Sequence, residues 1–123
     1  MQGEAGESET IDIFVYGTLL PGECNHFYLA RSSLIADDAI DNAELFNCGA
    51  YPMLRPGSGK VYGKCYRVPL TDLGAIDELE EHPNFYYRQW VQLASGRETW
   101  TYFGPEKEAQ QYPKIPSGSW QDR

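Results

Sequence analysis

Only one stretch of this chain, Thr71 to Glu81, reads as a clear helix, and the segments around it read mainly as strands. That balance confines the fold to a strand-dominated α+β domain: a curled mixed β-sheet or small β-barrel with a few flanking helices. Thr71 suits the helix N-cap, and Asp72 favours the first turn through the helix dipole. Pro83 ends the helix, because the residue before a proline avoids the α region.

The strands follow from β-branched and aromatic runs between turn residues. Ile11–Tyr16 is the first, and it stops abruptly at Gly17-Thr18-Leu19-Leu20-Pro21-Gly22. A short helix is expected over Asn25–Arg31, with Asn25 as cap. Strands are expected over Leu34–Ala39 and Ala43–Cys48. Pro52 to Lys60, with Pro56, Gly57 and Gly59, is expected as a loop. Val61–Val68 is a strand in which Gly63 marks a bulge or a close approach. Tyr86–Leu93 and Glu98–Phe103 form a hairpin turning at Ser95-Gly96. From Gly104 on, the chain is polar and aperiodic, yet Tyr112, Ile115 and Trp120 predict that it packs back on the body.

The 123 residues make room for one domain with a real core. Residues 1–10 read as a short acidic disordered tail and residues 11–123 as that single domain. A net charge of −8 opposes a nucleic-acid or anionic-membrane partner, and no stretch approaches the roughly 18 apolar residues of a membrane span. Cys24, Cys48 and Cys65 form neither a disulfide framework nor a zinc motif, and they read as small buried hydrophobes in a reducing cytoplasm. With two histidines, His26 and His82, a histidine-rich metal centre has few ligands to draw on. Both read as surface or capping groups.

One acid sits in an unexpected place. Leu73, Ile76 and Leu79 make the apolar stripe of the helix, and at about 100° per residue Glu80 points between Leu73 and Ile76. Asp77 has another bearing, and Glu78 and Glu81 point well away. A carboxylate on the apolar side must find a partner or rise in pKa until it holds a proton. In the first case Glu80 pairs with Arg88 or Arg67; in the second it is a proton-transfer group.

The loop after the first strand is the second feature. Gly17 allows a sharp turn, after which successive N–H groups of Gly17, Thr18 and Leu19 can converge on a carboxylate or an oxyanion. An ordinary strand-ending turn is the plainer reading. Neither feature supplies a nucleophile: there is no Gly-x-Ser-x-Gly elbow and no phosphate-binding glycine loop. Such a site still works on a substrate that brings its own.

These segments resemble the γ-glutamylcyclotransferase-like family, in particular its small members akin to γ-glutamylamine cyclotransferase. Val15-Tyr16-Gly17-Thr18-Leu19 is similar to the family's substrate-binding loop, and Asn25-His26 to the helix after it. Gly49-Ala50-Tyr51-Pro52 and Val61-Tyr62-Gly63-Lys64-Cys65-Tyr66 resemble its central segments. Ile76-Asp77-Glu78-Leu79-Glu80 resembles the motif with the catalytic glutamate, which makes Glu80 the catalytic residue. Tyr86-Tyr87-Arg88 and Gly118-Ser119-Trp120 resemble its later motifs. Glu81 departs from the glycine common after the catalytic glutamate.

The resemblance implies cyclisation of a γ-glutamyl group to 5-oxoproline with release of an amine or amino acid, with no cofactor. The expected substrate contacts are Tyr16, Gly17, Thr18, Leu19, Tyr51, Tyr86 and Arg88. Tyr86 and Arg88 alternate on one strand face and Tyr87 on the other; Arg88 equally suits a structural pair with a helix carboxylate. The expected partner is a small γ-glutamyl compound. Two other readings are a non-catalytic small-anion-binding module of the same fold and an oligonucleotide-binding barrel, and the charge disfavours the second.

Overall fold

The computed structural model describes residues 9–123. Its five strands are β1 (Thr10–Val15), β2 (Ser33–Asn47), β3 (Pro52–Pro69), β4 (Tyr87–Gln92) and β5 (Glu98–Phe103). They form one curled sheet in the order β2-β3-β1-β5-β4. β1 runs antiparallel to β3 and parallel to β5, so the sheet is mixed. Residues 1–8 of the expected acidic tail lie outside the described residues. Thr10 belongs to β1, where it pairs with Pro69.

β1 takes the middle place because it is apolar on both faces. Ile13 and Val15 pack with Ile76, Tyr86 and Tyr102, while Phe14 and Tyr16 pack on the opposite side with Leu54, Val61 and Trp120. A strand covered on both faces reads as a continuous apolar run. Gly63 on β3 lets β1 come close: a Cβ there would collide with the Val15 carbonyl and the Phe14 ring.

Two expectations are corrected along β2 and β3. The two expected segments 34–39 and 43–48 belong, up to Asn47, to one strand, carried through a register shift between Asp41 and Ala43 where Asn42 adopts a φ of 58°. Asparagine tolerates that left-handed turn better than most residues. The predicted loop over 52–60 is the first half of β3, paired with β2 from Asn47↔Pro52 to Ala43↔Pro56 and at Asp41↔Lys60. Its prolines are tolerated because Pro52 opens the strand and β1 pairs only with Lys64–Pro69 further along.

The helix is shorter than its apolar period implies. A 3₁₀ turn at Leu70–Asp72 leads into α1, Leu73–Leu79. Thr71 is not the cap; Asp72 takes that position without a side-chain cap bond and instead pairs with Arg31. Ile76 is fully buried and fastens α1 to the sheet. Its truncation to alanine would cost about 2–5 kcal/mol. Glu80 closes the last turn, its N–H donating to the Ile76 carbonyl at 3.0 Å, and Glu81 leaves it at a φ of 57°. The helix therefore stops before Pro83 can stop it.

The short helix near Asn25 is a 3₁₀ turn, His26–Leu29. After β5 comes one turn of helix, α2 (Glu106–Ala109), and then the C-terminal segment packs back as expected. Asn47 donates to the Pro113 carbonyl at 2.8 Å, and Ile115 to that of Leu45 at 2.7 Å. Trp120 is buried to 1% exposure. Cys65 is buried, Cys48 half-buried and Cys24 exposed, so the buried-hydrophobe reading fails for Cys24. No helix among the described residues is long and apolar enough to cross a membrane.

Candidate active site

Two adjoining chambers open where the loop after β1 meets the end of α1. Phe14 to Leu19, Tyr51, Pro52, Glu80, Tyr86 and Tyr102 line the inner one. The outer one shares Thr18, Tyr51, Glu80 and Tyr86 with it and adds Cys24, Asn25, Ala50, Leu79, Glu81 and Phe85. Glu80 thus stands at the junction. Tyr16, Gly17, Thr18, Leu19, Tyr51 and Tyr86 gather around it, and Arg88 does not.

Arg88 is held one layer back by Asp77. Its Nε donates to Asp77 Oδ1 at 2.8 Å and its second guanidinium nitrogen to Oδ2 at 3.1 Å. The guanidinium carbon also lies 5.5 Å from the centre of the Trp100 ring. The expectation that Arg88 reaches the substrate is therefore corrected: the helix carboxylate on its own face claims it first. Arg67 is committed to Asp12. Neither arginine neutralises Glu80.

Among the described residues no side chain or backbone group hydrogen-bonds to the Glu80 carboxyl. Burial pushes it up to about 7, and the neighbouring Asp77 charge adds to the rise. Burial also drives the phenols of Tyr16 and Tyr86 far up, with Glu80 contributing to both. The tyrosines therefore stay neutral. Tyr16 donates to the Tyr102 carbonyl at 2.6 Å and Tyr86 to the Pro52 carbonyl at 2.6 Å.

The loop is built for close approach. A Cβ at Gly17 would meet Pro52 Cγ at 2.6 Å and Cδ at 2.8 Å, so the need for glycine there is the packing of the loop on β3. The N–H groups of Gly17, Thr18 and Leu19 find no acceptor among the described residues, although Gly17 and Leu19 are buried. Three unspent donors at one chamber wall make a cradle for negative charge.

The loop's outer side is pinned by residues that sequence reasoning left aside. Asn25 donates from its backbone to the Thr18 carbonyl at 2.9 Å and from its amide side chain to Thr18 Oγ1 at 3.1 Å. His26 Nδ1 lies 2.8 Å from the Leu19 carbonyl, which can only accept, so Nδ1 carries the proton. Trp120 Nε1 donates to Glu23 Oε1 at 3.0 Å and Gln121 Nε2 to the Pro21 carbonyl at 3.1 Å. Asn25-His26 and Gly118-Ser119-Trp120 were visible as segments, but their hold on the loop depends on contacts far apart in sequence.

Tyr102 and Asp77 were also missed. Tyr102 lines the inner chamber, accepts from Tyr16 through its carbonyl, and donates its hydroxyl to Asp77 Oδ1 at 2.5 Å. Helical bearing alone separated Asp77 from Glu80 and gave no hint of this link. Glu81 was expected to point away; because the helix has already ended, its side chain instead lines the outer chamber.

The same arrangement of strands and loops occurs in known proteins. The solution structure of the Escherichia coli protein YtfP superposes with a TM-score of 0.72 over 92% of this chain and 98% of that one, at 35% identity. In sequence, YtfP, described as a gamma-glutamylcyclotransferase family protein, is 35% identical over 111 residues, covering 90% of this chain and 96% of its own. Gamma-glutamylaminecyclotransferase A of Danio rerio is 35% identical over 100 residues, covering 68% of this chain and 58% of that protein. A mouse AIG2-like protein shares the fold, with a TM-score of 0.77 at 23% identity over 88% of this chain and 87% of that one. Residues 13–122, which span the cradle loop, Glu80 and the Trp120 clamp, match one family throughout, and the chain belongs to the gamma-glutamyl cyclotransferase, AIG2-like family.

Proposed function

We propose that this protein is a γ-glutamyl cyclotransferase that converts a γ-glutamyl amine or small γ-glutamyl peptide to 5-oxoproline and the free amine. The observation that carries the reading is the unpartnered Glu80 carboxyl, raised to about 7, facing a cavity walled by three free backbone donors. Family membership adds to it. The free thiols favour a reducing compartment such as the cytoplasm.

The substrate's α-amine is the nucleophile. Glu80, ionised, takes a proton from the α-ammonium, and the amine nitrogen attacks the γ-carbonyl carbon. A tetrahedral oxyanion forms and collapses, the bond to the leaving nitrogen breaks, Glu80 returns its proton to that nitrogen, and the second proton on the attacking nitrogen passes to the released amine, which departs as an ammonium. The C–N bond gained in the lactam replaces the C–N bond lost. Gly17, Thr18 and Leu19 N–H groups bind the α-carboxylate or the oxyanion. Tyr16 and Tyr86, fixed by their bonds to backbone carbonyls, set the width of the inner chamber. Folding the substrate onto itself contributes more than proton transfer does, since holding atoms in near-attack geometry is worth roughly 7–11 kcal/mol.

Incubation with γ-glutamyl amines and γ-glutamyl dipeptides tests this, with 5-oxoproline read by chromatography. Release is expected from the wild type and not from Glu80→Gln. Full activity in Glu80→Gln would overturn the assignment of the base. Ligand-induced thermal stabilisation without any turnover across the panel would favour an anion-binding module.

A further inference from the structure

Glu81 follows the last turn of α1 in a backbone conformation that suits glycine. At a φ of 57° it lies in the left-handed region, which glycine enters freely and a glutamate enters against steric resistance. This chain keeps a charged side chain there, and the side chain lines the outer chamber. Among the described residues its carboxylate has neither an ion-pair nor a hydrogen-bond partner.

The surroundings give that charge a direction of action. No lysine or arginine lines either chamber. Leu79, Ala50 and Phe85 give the outer chamber, which Glu80 and Glu81 both line, its apolar walls. The field of Glu81, together with that of Glu108, reaches Tyr51 at the mouth. If the γ-glutamyl group occupies the inner chamber, the leaving group extends from Glu80 along these walls to Glu81. We infer that Glu81 selects substrates whose leaving amine is an aliphatic chain ending in a second, cationic group. This rests on the cyclotransferase reading and adds a specificity element to it. A leaving group ending in a carboxylate meets like charge at the same place, with no cation to offset it.

Three substrates of near-equal length test the inference: the γ-glutamyl amides of putrescine, n-pentylamine and γ-aminobutyrate. The wild type is expected to favour the putrescine amide over the pentylamine amide by about fivefold in kcat/KM at low salt, with the γ-aminobutyrate amide poorest. The preference should shrink as salt rises. In Glu81→Gln the ratio of the first two should fall to about one, and Glu81→Lys should reverse the order of cation and anion. Glu81→Gly, which matches the backbone conformation, should show the same collapse of the ratio as Glu81→Gln in a chain certain to tolerate the change at that φ. Equal turnover of all three amides by the wild type, or a ratio that survives in both Glu81→Gln and Glu81→Gly, overturns the inference while leaving the cyclotransferase reading intact. No 5-oxoproline from any of the three overturns both.

Discussion

Asp77 and Glu80 lie three residues apart at the end of one short helix, yet their surroundings treat them as opposites. Burial raises the Asp77 carboxyl, but hydrogen bonds from Arg88 and Tyr102 outweigh it and hold the group below its usual range. Glu80 has no such donors, and burial lifts it to about 7. Glu80 is also the more deeply buried of the two, so the difference teaches that depth and the supply of donors together set the state of an acid. Arg88 and Tyr102 spend their donors on Asp77, and because they do, Glu80 is left without any. The paired acid also adds its own charge to the rise at the unpaired one. One carboxylate holds the architecture, and its neighbour is kept available for proton transfer.

Removing the free acid should give the largest effect. Glu80→Gln is expected to lower kcat for 5-oxoproline release by about 10³-fold with circular dichroism unchanged; a loss of less than tenfold would break the contrast at its catalytic end. The paired acid should fail differently. Asp77→Asn leaves the Arg88 guanidinium unpaired and is expected to cost about 2–4 kcal/mol in chemical denaturation. It should also move the rising limb of kcat/KM against pH below its wild-type position near 7, since a negative charge beside Glu80 is gone. A limb that stays in place would separate the two acids electrostatically.

Stability against pH sharpens the same point. Between the ordinary carboxyl value of 4.5 and about 7, the folded chain keeps a proton on Glu80 that the unfolded chain has released. Stability therefore declines as pH rises through this window, by about 3 kcal/mol in all, and is highest below it. Glu80→Gln should flatten that slope in a series of denaturant titrations and exceed the wild type at alkaline pH. An unchanged slope would place the titration on another group. The smallest effect is expected at the loop: His26→Ala removes one bond to the Leu19 carbonyl and should raise KM by roughly threefold, with little change in kcat. An equal fall in kcat would mean that the loop acts on the transition state as well.

Most strands were legible because their signals are local. The run Ile11–Tyr16, the Ser95-Gly96 hairpin and the apolar stripe through Leu73, Ile76 and Leu79 each declare themselves within a few residues. Pro52–Lys60 did not, because prolines and glycines signal a loop until a partner strand is known, and that partner, Ala43–Asn47, satisfies them from outside. Glu80 was legible from helical bearing, and the same bearing misled at Glu81, where the helix had ended. Arg88 was placed on the correct strand face; its capture by Asp77 depended on the spacing between α1 and β4, which no local pattern carries. The loop's hold by Trp120 and His26 was invisible for the same reason, as was the part played by Tyr102.

The Trp120 clamp bears on the order in which the protein comes into being. The cradle loop is made well before Trp120, with 97 positions between Glu23 and the indole that grips it. β1 likewise waits for β5 to complete its second edge. A nascent chain can therefore form the long β2–β3 hairpin before Trp120 is made, while the clamp on its cradle loop closes only afterwards. A chain stopped short of Trp120 carries Glu80 and the cradle loop without the clamp that ties the loop down.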